Sequence, residues 1–153
     1  MRTALVEALR KVHRIDRLAT LIHPTAYVSP MARVGQGVFV GANSTIAPGA
    51  EIGDFVFINR GVTIGHDTMV GPFARLMPGC NISGSVHIGN GATICIGANV
   101  IEERHIGART VVAAGAVVID DLPADVMAAG MPARVKKNLA IEPTSPKDAA
   151  PST

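Results

Sequence analysis

The chain has no Trp, one Tyr and four Phe, so aromatics make up 3% of its 153 residues. That scarcity excludes a core of large rings and a surface that stacks bases on aromatic side chains. Charge is also sparse: 17% of residues are charged and the net charge is +2, against a usual charged share of about 25%. Such a balance leaves no basic footprint for nucleic acid. No apolar run approaches the roughly 20 residues that cross a bilayer. The basic N-terminus is followed by no apolar segment of the kind that makes a signal peptide. Two cysteines, Cys80 and Cys95, are too few for a disulfide framework. The expectation is one domain in a reducing, cytoplasmic setting, with neither nucleic acid nor membrane as partner.

What fills the sequence instead is a repeat. Every sixth residue from Ile22 to Val118 is aliphatic, and all but Leu76 are β-branched, which suits strands. The next column is often glycine: Gly35, Gly41, Gly53, Gly65, Gly71, Gly89 and Gly107. A further column is mostly small, with Ala26, Ala32, Ser44, Ala50, Ala74, Cys80, Ala92, Ala98 and Ala116. A period of six fits neither an amphipathic helix nor an alternating strand. It is the hexapeptide signature of a parallel β-helix. Each unit reads as a short strand plus a turn. The aliphatic residue points inward, the small one fills beside it, and glycine is expected to permit the tight corner. Coils then stack at about 4.8 Å, and a column of Ile and Val replaces the missing rings. One unit, "VIEERH", places Arg104 in the small column. A buried, unpaired Arg is costly, so Arg104 is expected to turn outward, onto Glu102 or Glu103.

The ends differ from the repeat. Leu5, Leu9 and Val12 have helical spacing, so residues 1–20 read as a short helix. Residues 21–123 form the β-helix. Residues 124–138 are expected to fold back and cap the coil end, since an open end would expose strand edges. Residues 139–153, rich in Pro, Ser and Ala, read as disordered.

The repeat resembles the left-handed β-helix of hexapeptide acyltransferases, over about Leu21 to Lys137. The left hand comes from the resemblance alone, since parallel crossovers are ordinarily right-handed. "LIHPTAYVSP" (Leu21 to Pro30), "INRGVTIGHD" (Ile58 to Asp67) and "GMPAR" (Gly130 to Arg134) narrow it further. They are similar to elements of the amino-sugar acetyltransferases typified by UDP-4-amino-sugar N-acetyltransferases and the related sialic acid O-acetyltransferases. The resemblance implies an all-β fold of triangular coils with residues eighteen apart stacked. It also implies a homotrimer with sites between subunits, and acetyl-CoA as acyl donor. Two features depart from that pattern. Members usually carry a separate α/β domain for the nucleotide ahead of the coil, where this chain has residues 1–20. A second family His falls at Arg75 here, and Arg cannot serve as a neutral base.

Acyl transfer from a thioester needs a base, donors to a developing oxyanion, and both substrates held together. His66, directly after Gly65, can project from a corner and act as base near neutral pH. Asp67 can orient its ring. The stacking implied by the resemblance puts Gly84, eighteen residues on, over His66. There it is either the family's oxyanion donor or only a turn glycine. By the same resemblance Asn59 is a candidate substrate contact, and Ile96 and Ala114 offer backbone amides to the pantetheine arm; Arg75, where the family has its second His, is a candidate to meet a phosphate or acyl oxygen of the substrates. Arg134, Lys136 and Lys137 either meet coenzyme A phosphates or form a solvated tail. Cys80 and Cys95 read as small structural residues, and His23 as structural at the coil entry. His87 and His105 are expected to stack. Zinc sites of related β-helices need three His, two of them five residues apart, and Gly71 stands five after His66, so no metal is expected. The resulting expectation is an acetyl-CoA-dependent acetyltransferase acting on the amine or hydroxyl of a sugar, with a nucleotide-linked amino sugar favoured. The alternative is a non-catalytic trimeric scaffold or truncated homologue.

Overall fold

The computed structural model describes Ala8 and residues 18–139. Within them the period of six becomes a run of two-residue strands separated by four-residue corners. In each strand the first residue faces out and the aliphatic second residue faces in: Thr63 is exposed, Ile64 buried. Three strands close one coil. Strands one coil apart pair in parallel with a register of eighteen, as in Thr63↔Asn81 and Ile64↔Ile82. Three sheets result, and we number them by order along the chain. Sheet one holds Phe57–Ile58, Arg75–Leu76, Thr93–Ile94 and Val111–Val112 among others. Sheet two includes Thr63–Ile64, Asn81–Ile82 and Asn99–Val100, and sheet three Met69–Val70, His87–Ile88 and His105–Ile106. The fold is the left-handed parallel β-helix of hexapeptide repeats.

The core is a column of aliphatic side chains, with Ile46, Ile64, Leu76, Ile94 and Val112 each at most 2% exposed. The small column is buried beside it through Ala50, Ala74, Cys80 and Ala98, and takes in three hydroxyls, Ser44, Thr68 and Thr110. Those hydroxyls are all hydrogen-bonded to the backbone of a neighbouring coil, as buried polar groups must be.

The glycine column does something other than the sequence suggests. The left-handed corner conformation falls two residues further on, at Gly37, Asn43, Gly49, Phe55, Gly61 and Asp67, and at the same position in later units. Gly65 and its column have no positive φ. They are glycine because the next coil passes too close: a methyl group on Gly65 would lie 2.4 Å from the Ser83 carbonyl carbon.

After Val118 the coil continues with a shorter step. Ile106 bridges to Leu122, and Val112 pairs with Ala128, an offset of sixteen. The strand Val126–Ala129 thus extends sheet one, and Arg134–Asn138 returns antiparallel to it across a cis Met131–Pro132 bond. Arg104 is 29% exposed and donates from Nε to the Glu102 carbonyl at 3.0 Å, with Asp121 at 3.8 Å. Its partners are a backbone oxygen and Asp121, not the carboxylates of Glu102 and Glu103. Except at Ala8, residues 18–20 and Leu139, the expected helix over 1–20 and tail over 139–153 lie outside the described residues. Among the described residues, no helix is long and apolar enough to cross a membrane.

Candidate active site

The corner between sheets two and three carries His66 and Asp67. Ile64, Thr68 and Val70 on either side are anchored inward, each at most 2% exposed. That leaves the two turn residues only the outside, and their side chains are 67% and 68% exposed. His66 Nδ1 lies 2.9 Å from Asp67 Oδ2. A carboxylate only accepts, so this contact assigns the ring proton to Nδ1 and leaves the Nε2 lone pair open. So exposed a pair adds little to stability; its consequence is orientation.

Nε2 faces the next coil at Gly84. A methyl group on Gly84 would lie 2.5 Å from Nε2, so any other residue would push the ring away. The Gly84 N–H donates to no acceptor among the described residues. A lone pair that can take a proton and a free N–H that can meet an oxyanion therefore sit side by side.

Asp67 adopts φ 55°, a left-handed conformation that Asp tolerates better than most side chains. Its Oδ1 rests over Gly49, one coil earlier, where a methyl group would come within 2.1 Å of that oxygen. Gly49 was not apparent as a site residue from the sequence. The signal was available, since it stands eighteen before Asp67.

The remaining candidates lie elsewhere on the chain. Asn59 is at the corner between sheets one and two, where its Oδ1 accepts from the Arg60 N–H at 2.8 Å. Ile96 and Ala114 are exposed at that same corner, eighteen apart, and neither backbone N–H has an acceptor among the described residues. Arg75 stands on the outer face of sheet one, its Nε and Nη2 held by Thr93 Oγ1 at 3.2 and 3.1 Å. Arg134 is paired with Asp120 at 2.8 Å. Lys136 is exposed on the same terminal strand and has no ion pair among the described residues. One chain thus gathers His66, Asp67 and Gly84 at one corner and Ile96 with Ala114 at another, with sheet two between them.

His87 and His105 stack with ring centroids 4.7 Å apart on sheet three. They border an open groove of about 730 Å³ that passes Met69 but not His66. Among the described residues, no group of three His, Cys, Asp or Glu is placed to hold a metal. His23 bonds locally to Thr25. Burial pushes the Cys80 thiol up to about 12; it also raises Cys95, against a lowering by Arg75.

The bacterial transferase hexapeptide family (six repeats) matches residues 31–66. None of the curated proteins matches the sequence. With the coil and its register, the family match defines the class of fold: a left-handed parallel β-helix of hexapeptide repeats. The chain's particular likeness is to perosamine N-acetyltransferase and the acetyltransferase domain of PglB. A His-to-Asn variant of perosamine N-acetyltransferase from Caulobacter crescentus, in complex with CoA and GDP-perosamine, is 40% identical with a TM-score of 0.86, over 90% of this chain and 64% of that one. The acetyltransferase domain of PglB from Neisseria gonorrhoeae, in complex with acetyl coenzyme A, is 32% identical with a TM-score of 0.81, over 86% and 64%. WeeI from Acinetobacter baumannii is 25% identical with a TM-score of 0.73, over 88% and 65%. The chain spans less than two thirds of the length of each.

Proposed function

We propose that the protein transfers the acetyl group of acetyl-CoA to the amine of a sugar, with a nucleotide-linked amino sugar as acceptor. The observation that carries this is the corner itself: His66 Nε2 open beside the unpaired Gly84 N–H, with Nδ1 held by Asp67. The acceptor nitrogen attacks the thioester carbon while Nε2 takes its proton. The carbonyl oxygen becomes an oxyanion and receives the Gly84 N–H. Collapse of the adduct breaks the carbon–sulfur bond, and the imidazolium returns the proton to the departing thiolate. Asp67 stabilises the imidazolium in between. The likeness to enzymes solved with CoA, acetyl coenzyme A and GDP-perosamine supports the donor and acceptor classes.

The unit that works is a homotrimer with the site between copies. Sheet two separates the His66 corner from the Ile96 and Ala114 corner, so one chain cannot close a site from both. If sheet two faces a threefold axis, the His66 corner of one copy meets the other corner of the next. The outer face of sheet two suits such an axis, because Thr63, Asn81 and Asn99 form an uncharged ladder at 2.9 and 3.0 Å. The free N–H groups of Ile96 and Ala114 fit the amide carbonyls of a pantetheine arm.

The test is thiol release from acetyl-CoA against a panel of nucleotide-linked amino sugars, simple amino sugars and hydroxyl acceptors, run beside His66→Ala. Release that depends on an acceptor and is lost in the variant supports the reading. No release with any acceptor, together with no thermal protection by coenzyme A, favours a non-catalytic scaffold.

A further inference from the structure

Thr68 follows the dyad directly and is fully buried in the small column. In many units the corner closes on itself, as where the N–H of Cys80 donates to the Met77 carbonyl at 3.2 Å, while at the corners of Gly35 and Asn59 a hydroxyl of the preceding coil, from Thr20 or Ser44, is inserted. At the corner that carries Gly84 the Thr68 hydroxyl is inserted, donating to the Ser83 carbonyl at 2.9 Å and accepting from the Val86 N–H at 3.3 Å. The Ser83 carbonyl and the Gly84 N–H belong to one planar peptide unit. A group that holds the carbonyl therefore fixes the direction of the N–H on the other side. We infer that Thr68 is a positioning residue, which aims the Gly84 N–H at the oxyanion from inside the coil. This rests on the proposed reading of Gly84 as the oxyanion donor.

The molecule supplies its own control. Thr110 makes the same insertion at the far end of the coil, to the Pro123 carbonyl at 2.6 Å and from the Val126 N–H at 3.3 Å. It is remote from the dyad in the stacking, so the structural cost of losing the hydroxyl is matched and the chemical cost is not. Valine fits this column, since Val62 and Val86 occupy it fully buried. Thr68→Val therefore removes the hydroxyl while keeping the volume.

Steady-state acetyl transfer is measured for the wild type, Thr68→Val, Thr68→Ser, Thr110→Val and His66→Ala. In Thr68→Val, kcat falls about tenfold or more, while KM for acetyl-CoA moves less than about twofold. Thr68→Ser, which keeps a hydroxyl, recovers most of kcat, and Thr110→Val retains the wild-type value. Equal kcat in Thr68→Val and Thr110→Val overturns the assignment, because a merely structural hydroxyl would act alike at both places. Loss in His66→Ala without loss in Thr68→Val overturns the Thr68 role alone. An unaffected His66→Ala overturns the reading of the site and the Thr68 role with it.

Discussion

Replacing Gly49 by alanine tests whether the orientation of Asp67 matters, without substituting either member of the dyad. The new methyl group would stand 2.1 Å from Asp67 Oδ1. A carboxylate is the mobile end of a short side chain, so it swings aside at little cost in stability, but it leaves His66 Nδ1. The backbone also suffers, since Gly49 has φ +73° and an L side chain there costs about 1–2 kcal/mol. Gly79→Ala isolates that second effect: Gly79 has φ +65° and nothing within 4 Å of the added methyl. The two variants should therefore lose similar thermal stability. Only Gly49→Ala should lose rate. Loss of a carboxylate partner costs about 10⁴-fold where it is buried. Here Asp67 is 68% exposed, and water screens the pair, so about tenfold in kcat is expected. The assay is initial thiol release at saturating acetyl-CoA, beside a thermal melt of each variant. Equal rates in Gly49→Ala and Gly79→Ala would show that a displaced Asp67 makes no difference and that its orientation plays no part in catalysis.

Asp67→Asn should lower kcat with little change in acetyl-CoA affinity; a loss of affinity alone would argue against an orienting role. Ala114→Trp should fill the pantetheine groove and abolish coenzyme A binding measured by calorimetry. Mixing equal amounts of His66→Ala and Ala114→Trp chains, unfolded and refolded together, should restore about a quarter of wild-type activity. That is the chance that a site between two copies draws its intact half from each, and no recovery would mean that both residues serve one site from the same chain. The Cys80 thiol is held at about 12 by burial, so it is almost wholly protonated at neutral pH and its thiolate is the reactive form. Alkylation of Cys80 near pH 8 should wait for unfolding, and rapid labelling of the native protein would contradict the packing of the small column.

The repeat made the fold readable because a β-helix stacks the chain on itself at a fixed step. The unbroken column from Ile22 to Val118 states the inward direction of every strand. The step of eighteen then places Gly84 over His66, and the structure puts the two in contact. Other features needed coordinates. Gly65 and Asp67 sit in one corner, yet it is Asp67 that takes the left-handed conformation; composition suggested the glycine. The role of Gly49 depends on which way a carboxylate leans, and the one proposed for Thr68 on which peptide its buried hydroxyl holds. Neither is a property of residue type. The shortening of the last coil from eighteen to sixteen residues was hidden for a different reason. Past Val118 the aliphatic column is interrupted, and Leu122 and Ala128 take over in a new phase.

In the proposed function the His66–Gly84 corner moves an acetyl group onto a sugar amine. The most direct measurement identifies the product: a nucleotide-linked amino sugar is incubated with acetyl-CoA and the protein, and its amine is examined by mass and NMR. The wild type should give an acetylated nitrogen, and His66→Ala a yield lower by about 10²-fold or more from a protein that still binds coenzyme A. Equal acetylation by the two proteins, or none by either, would contradict the proposed function.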